Sequence, residues 1–163
     1  LDFEFFEEPL PQGPDYIGYP ELRERLPLRL PGGERLADRG EAKLLLDQRG
    51  VDIIQPDISL CGGIPEVLFI AELAALYGVP ILPHCWGGAI LMAATSQLLS
   101  MLPDPHWGFP TDTPMLEFDQ SENPWRTEIV ASPLEFKDGF VTVPTGPGLG
   151  LEINEDAVQR YVI

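Results

Sequence analysis

The sequence is poor in the residues and segments on which several classes of protein depend. Its two cysteines, Cys61 and Cys85, cannot form a disulfide framework, and their spacing fits no zinc motif, so we expect two small, mostly buried side chains. Ten basic residues against 26 acidic ones give a formal charge of −16, which argues against binding to nucleic acid or to anionic membranes. The longest apolar stretch, residues 89–102, is too short and too polar to span a bilayer.

No secretory signal is visible, because the sequence begins without Met and has no basic region before an apolar one. Together with the absence of a disulfide framework, this predicts a cytoplasmic protein. What the sequence does contain is enough for a core, since 163 residues with 44 % apolar side chains suit one folded domain. A solvated surface explains most of the acidity, and the binding of divalent cations is a second use for it.

One unit recurs along the chain: a short apolar strand, a polar residue, a loop with Gly or Pro, and an amphipathic helix. The predicted strands are 3–6, 28–30, 51–54, 79–82 and 115–116. The predicted helices are 19–26, 39–48, 64–77 and 89–102. The polar residues that follow the strands are Glu7, Glu34, Asp57, His84 and Glu117. Strands that alternate with helices in this way indicate βα units and a parallel sheet.

The position of the polar residues favours a barrel over an open doubly wound sheet. Each lies at the C-terminal end of its strand, where a (β/α) barrel carries its chemistry. A complete barrel needs about eight strands, and this sequence supplies about five. After Glu117 the pattern changes to alternating residues with turns at 138–139 and 146–148, which predicts a β-hairpin and a tail with a short helix. We therefore predict a partial α/β barrel over residues 1–128 and a tail over 129–163.

Two of the strand-end residues are suited to binding a metal ion. Glu7 and Glu34 follow neighbouring strands, and two carboxylates brought together repel unless a cation lies between them. Oxygen ligands suit Mg²⁺. Each residue also has a simpler interpretation: Glu7 as a loop carboxylate or helix cap, and Glu34 as a surface charge after a Gly-Gly turn. Glu8 is interpreted as a structural or supporting residue.

The other strand-end residues suit proton transfer. A carboxylate that accepts from one nitrogen of a histidine raises the basicity of the other, as a pair of Asp57 and His84 would allow. The alternatives are a core histidine and a turn aspartate. Glu117 could be protonated and donate to a developing oxyanion, or be a surface charge. His106 lies in a predicted loop and is interpreted as structural or exposed.

Five segments, in order, resemble the mandelate racemase subgroup of the enolase superfamily. They are "FFEEP", "PGGE", "QPDISLCGG", "GVPILPHCWGG" and "MLEFD", and the resemblance runs from residue 3 to about 161. It implies the C-terminal part of a modified (β/α)7β TIM-type barrel, whose complete form has a separate capping domain. It also implies that Glu7 and Glu34 are two of three Mg²⁺ ligands, that Asp57 and His84 form a dyad with His84 as general acid or base, and that Glu117 stabilises an enediolate oxygen.

The activity implied is that of a Mg²⁺-dependent acid-sugar dehydratase acting on an aldonate or aldarate. "PHCW" with "LEFDQSENP" also resembles enzymes that open or isomerise sugar lactones, so a cycloisomerase is the alternative, and a racemase is a further one. Either way the partner is a small carboxylate or lactone, and the full-length form is expected to be a homo-oligomer. A different class, a non-catalytic fragment or a subunit that completes a barrel with a second polypeptide, stays open.

The sequence departs from the family pattern in what precedes residue 3. The third metal ligand, an Asp, and the catalytic lysines of the family lie on earlier strands. The two lysines present, Lys43 and Lys137, fall in a predicted helix and in the predicted hairpin, away from strand ends. We therefore expect this chain alone to be inactive.

Overall fold

The computed structural model describes residues 3–13, 16–102 and 114–162. These residues divide into two compact units. The first comprises the described residues up to His84, with Leu102, and the second comprises Cys85–Met101 with residues 114–162. The predicted boundary after residue 128 stays a prediction, and His106 lies outside the described residues.

Parallel strand pairing organises the first unit. Strand β1 (Pro31–Gly32) pairs with β2 (Ile53–Ile54) in parallel, with Pro31 opposite Ile53. Single parallel bridges extend this pairing on both sides, from Phe5 to Arg29 and from Ile54 to Ile81. The first four predicted strands therefore lie side by side in chain order, as consecutive βα units require.

Two strand predictions need correction. The second strand was predicted to end at residue 30, but its pairing continues through Pro31 and Gly32, since Pro31 O accepts from Glu8 N (3.2 Å) and Gly32 O accepts from Gln55 N (2.9 Å). Pro31 is compatible with this pairing because its carbonyl, and not an N–H, makes the bond. Within the described residues, 115–116 forms no strand.

The helices of the first unit match their predicted positions closely. They are α1 (Tyr19–Arg25), α2 (Arg39–Asp47) and α3 (Ile64–Leu76). Asp38 caps α2, because its Oδ1 accepts from Gly40 N (2.7 Å) and Glu41 N (3.0 Å). Gly78, with φ of 68°, follows the end of α3, where a left-handed residue is expected.

The core of the first unit includes the faces of α2 and α3, which pack against each other. The buried residues of α2 are Ala42, Leu45 and Leu46. Those of α3 are Val67, Ile70, Ala71 and Ala74. Cys61 is buried here too, and burial raises the pKa of its thiol to about 11. Cys85, in the second unit, is also buried, so the prediction of two mostly buried cysteine side chains is confirmed.

The second unit contains a buried helix and the tail. Helix α4 (Ala89–Met101), predicted at 89–102, is buried on most sides, and a short helix α5 (Pro124–Thr127) follows later. Strands β3 (Phe136–Lys137) and β4 (Phe140–Val141) form the predicted antiparallel hairpin. Helix α6 (Glu155–Gln159) is the short tail helix. Of the helices in the described ranges, none is long and apolar enough to cross a membrane.

Candidate active site

Asp57 and His84 follow neighbouring strands and are in contact. His84 Nδ1 lies 2.7 Å from Asp57 Oδ2, and the Asp57 side chain is almost completely buried. The other carboxylate oxygen, Oδ1, accepts from the backbone N and from Oγ of Ser59, both at 2.6 Å. Burial by itself raises the pKa of Asp57, but the hydrogen bonds from His84 and Ser59 outweigh burial and hold the pKa below its ordinary value.

The orientation of the His84 ring follows from this contact. An ionised carboxylate can only accept, so Nδ1–H donates to Asp57, and Nε2 is the nitrogen that gains or loses a proton. Nε2 lies 3.3 Å from Oε2 of Glu34, whose side chain is one-third exposed. The structure thus brings three of the five predicted residues together. Their catalytic and metal-binding roles stay predictions.

Glu7 lies at the end of the strand that pairs with the β1 segment. Phe6 N donates to Arg29 O (3.0 Å), which fixes the strand just before Glu7. The carboxylate of Glu7 is exposed, and its Oε1 accepts from Nε2 of the fully buried Gln55 (3.0 Å). Gln55 therefore holds one oxygen of Glu7 in place from the end of β2, which lies on the other side of β1.

Glu8, next to Glu7, is less exposed to solvent than Glu7 is. Its Oε1 accepts from Gly33 N (2.9 Å) and Glu34 N (3.4 Å), so it contacts the loop that carries Glu34. Burial raises the pKa of Glu8, the bond from Gly33 opposes this, and the charge of Glu34 adds to the increase. Glu8 thus connects the ends of the first two strands.

Glu117 belongs to the second unit. Its Oε2 accepts from Cys85 N at 2.7 Å, so the carboxylate ties its own segment to the start of the segment that leads into α4. Nearby, Asp119 Oδ2 accepts from Trp86 Nε1 (3.1 Å) and pairs with the buried Arg126 (2.9 Å). The proposed role of Glu117 at an oxyanion stays a prediction.

Sequence reasoning missed several residues that hold the site in place. Ser59 had a usable signal, because a residue two positions after an aspartate commonly closes a turn on its carboxylate. Gln55 had one as well, as a polar residue at the end of the apolar run "VDII". Gln12, whose Nε2 donates to Glu8 Oε2, had none, since nothing local in the sequence brings it to the end of a strand.

The carboxylates of Glu7 and Glu34 are chemically suited to a hard divalent cation. Both are oxygen donors at the C-terminal ends of adjacent parallel strands, and both side chains reach solvent. Over the described ranges, no group of three or more His, Cys, Asp or Glu is arranged to hold a metal ion. The two carboxylates of Glu7 and Glu34 thus fit part of a magnesium site and not a complete one.

Comparison with known proteins identifies the family. Residues 1–157 match the family described as Enolase C-terminal domain-like, so the chain belongs to this family, in the mandelate racemase branch of the enolase superfamily. The predicted α/β class and partial TIM-barrel fold are confirmed.

Particular relatives include sugar-acid and lactone enzymes. The chain is 42 % identical over 160 residues to D-galactarolactone cycloisomerase of Agrobacterium fabrum, covering 97 % of the chain and 42 % of that protein. It is 31 % identical over 158 residues to arabinonate dehydratase of Saccharolobus solfataricus, covering 96 % of the chain and 39 % of that protein. The crystal structure of 3,6-anhydro-D-galactonate cycloisomerase from Zobellia galactanivorans superposes with a TM-score of 0.86 at 37 % identity, covering 98 % of this chain and 43 % of that one. The chain thus spans about two-fifths of the length of these relatives.

Proposed function

We propose that this chain supplies the C-terminal barrel portion of a Mg²⁺-dependent enzyme that removes the proton α to the carboxylate of a sugar acid. The observation that carries the proposal is the His84–Asp57 contact of 2.7 Å, with Nε2 of His84 directed at the Glu34 carboxylate. A histidine oriented by a buried carboxylate is suited to act as a general base or acid. The relatives supply the substrate class, since their names refer to sugar acids and lactones.

The chain's own residues have distinct tasks in this mechanism. His84 Nε2 takes the α proton or returns a proton to the departing β oxygen, while Asp57 holds the ring and stabilises its charged form. Glu7 and Glu34 would hold Mg²⁺, which stabilises the negative charge on the substrate carboxylate. Glu117, when protonated, would donate to the enediolate oxygen. The lysines do not contribute, because Lys43 pairs with Asp47 in α2 and Lys137 lies in β3.

The leading reaction is dehydration of an aldonate or aldarate, in which the β-hydroxyl leaves as water. The second candidate is lactone cycloisomerisation, favoured by the 42 % identity to the Agrobacterium fabrum enzyme. Both begin with the same α-proton removal. A cytoplasmic location and a homo-oligomeric full-length form belong to the same proposal.

The test uses a completed enzyme, in which this chain follows the N-terminal part of the Agrobacterium fabrum relative. It is incubated in D₂O with Mg²⁺ and a panel of aldonates, aldarates and sugar lactones, and the products are analysed by mass spectrometry and NMR. We expect α-proton exchange and loss of one water. Turnover of a lactone with unchanged mass would favour the cycloisomerase, and racemisation without loss of water would contradict the dehydratase. No exchange with any compound would favour the non-catalytic alternative.

A further inference from the structure

Glu8 has an unusual backbone conformation. Its φ is 40°, in the left-handed region that favours glycine, and Pro9 follows it. A residue that precedes proline normally adopts an extended conformation. Strained conformations of this kind persist where the surrounding structure holds them, and they concentrate at functional sites. The contacts of the Glu8 side chain show which residues hold this backbone conformation.

Both carboxylate oxygens of Glu8 are engaged within the protein. Oε1 accepts from Gly33 N (2.9 Å) and from Glu34 N (3.4 Å), and Oε2 accepts from Nε2 of Gln12. Gln12 in turn accepts with its Oε1 from Arg35 N (3.3 Å). Glu8 and Gln12 therefore contact three consecutive backbone amides, which belong to the loop that carries Glu34.

Each side of this arrangement is anchored. The segment with Glu8 and Gln12 is held by the buried Tyr19, whose hydroxyl donates to Leu10 O (2.8 Å). On the other side, Gly33 has φ of 116°, and a β-carbon there would lie 2.9 Å from Leu36 Cδ1. The amide of Gly33 can therefore face Glu8 only because the residue is glycine.

We propose that Glu8 is a positioning residue, which acts with Gln12 to fix the backbone of residues 33–35 and so to aim the Glu34 carboxylate at the divalent cation. The inference rests on the proposed function, because it assumes that Glu34 is a metal ligand. In this proposal Glu8 acts on the loop through these hydrogen bonds, and Glu7 and Glu34 are the residues that would bind the ion. Its left-handed backbone directs the side chain across to the neighbouring strand end.

Glu8→Asn in the chain as it stands tests this directly. Asn adopts left-handed backbone more readily than Glu does, so strain falls, but its side chain is one carbon shorter and does not reach the loop. We expect amide hydrogen exchange at Gly33 and Glu34 to rise by roughly 10-fold or more, from the loss of charge-assisted hydrogen bonds. We expect Mn²⁺ affinity, followed by paramagnetic broadening of amides near Glu34, to fall severalfold while the melting temperature does not fall.

A rescue variant separates positioning from folding. Glu8→Gln keeps an oxygen for Gly33 N but sets two amide NH₂ groups against each other at positions 8 and 12. Adding Gln12→Glu restores a donor and an acceptor there, so the double variant should recover slow exchange and Mn²⁺ affinity. Glu4→Gln is the matched control, because Glu4 is a carboxylate of the same segment that pairs with Arg29 instead. It should change neither readout.

The two readouts distinguish failure of this inference from failure of the proposed function. If Glu34→Gln leaves Mn²⁺ affinity unchanged, Glu34 is not a ligand and the proposed function fails, whatever Glu8 does. If Glu34→Gln weakens Mn²⁺ binding but Glu8→Asn leaves both exchange at Gly33 and Mn²⁺ affinity at wild-type values, the positioning role is wrong. A Glu8→Asn protein whose exchange rises equally throughout the first unit would also overturn it.

Discussion

His84 is held by Asp57 through an Nδ1–Oδ2 contact of 2.7 Å, and Asp57 is in turn held by Ser59. The buried carboxylate thus has each oxygen assigned to a different partner. Because Oδ1 is occupied by the turn that follows the strand, Oδ2 and the ring it contacts have a fixed direction. Glu34 follows β1, the strand next to β2. Its carboxylate lies on the opposite side of the His84 ring, 3.3 Å from Nε2.

Removing the hydroxyl of Ser59 should weaken this support. We expect Ser59→Ala to raise the pKa of Asp57, because one hydrogen bond to the charged form is lost, and to lower the free energy of unfolding by about 1 kcal/mol at neutral pH. Ser59→Thr keeps the hydroxyl and is the matched control. NMR titration of the Asp57 carboxyl carbon checks the direction, and an unchanged or lower pKa in Ser59→Ala would contradict it.

The ion pair between α2 and α3 should make stability depend on acid pH. Glu66 Oε1 and Oε2 accept from Arg39 Nε at 2.8 and 2.9 Å, and these bonds lower the pKa of Glu66 to about 2. A carboxyl whose pKa is lowered by folding stabilises the protein above its unfolded pKa, about 4.5, and this contribution disappears as the pH falls towards 2.

Glu66→Gln should therefore flatten the decrease in unfolding free energy between pH 4.5 and 2, as measured by urea unfolding across that range. Glu21→Gln is the control, since Glu21 forms an exposed pair with Arg25 within one helix. Equal pH profiles for Glu66→Gln and wild type would refute the assignment.

Two adjacent leucines of α2 should respond very differently to truncation. Leu45 is fully buried, whereas Leu44 is 40 % exposed. Leu45→Ala should cost about 2 to 5 kcal/mol through lost burial and the cavity left behind, and Leu44→Ala about 1 kcal/mol or less. Denaturant unfolding of both variants measures the difference. Similar costs would mean that the face of α2 is assigned wrongly.

Glu34→Gln should lose both divalent affinity and rate in the completed enzyme. A neutral amide is a poorer ligand for Mg²⁺ than a carboxylate, and the amide also removes the negative charge beside His84 Nε2. Calorimetry with Mg²⁺ measures the affinity, with Glu24→Gln as an acidic-to-neutral control outside the strand ends. Wild-type Mg²⁺ affinity in Glu34→Gln would remove Glu34 from the metal site.

The helices could be located from sequence because local signals agreed with the fold. The predicted ends of α2 and α3 lie within one residue of the observed ones, since an Asp cap and a C-terminal glycine mark them. The buried face of α3 is harder to predict from the sequence: Ile70 is fully buried, whereas Leu68 is only partly so. A helix that is apolar on most sides has no single stripe to identify.

The strands, and the residues that hold the site in place, were harder to predict from the sequence. The short ladder at Pro31–Gly32 is set by carbonyls that face two neighbouring strands, and no local pattern encodes it. The strand-end residues Asp57, His84 and Glu34 could be found because each follows a predicted strand of the repeating βα unit. Glu8 and Gln12 could not, because their partners are backbone amides more than 20 residues away along the chain.

Exchange of the substrate α proton with solvent deuterium is the most direct measurement of the proposed role of His84. In the completed enzyme with Mg²⁺, we expect His84→Asn to slow exchange by roughly 10²- to 10⁴-fold while Mg²⁺ affinity stays near that of the wild type. His106→Asn, which changes the other histidine of the sequence, should exchange at the wild-type rate. Exchange at the wild-type rate in His84→Asn would contradict the assignment of His84 as the proton-transfer residue.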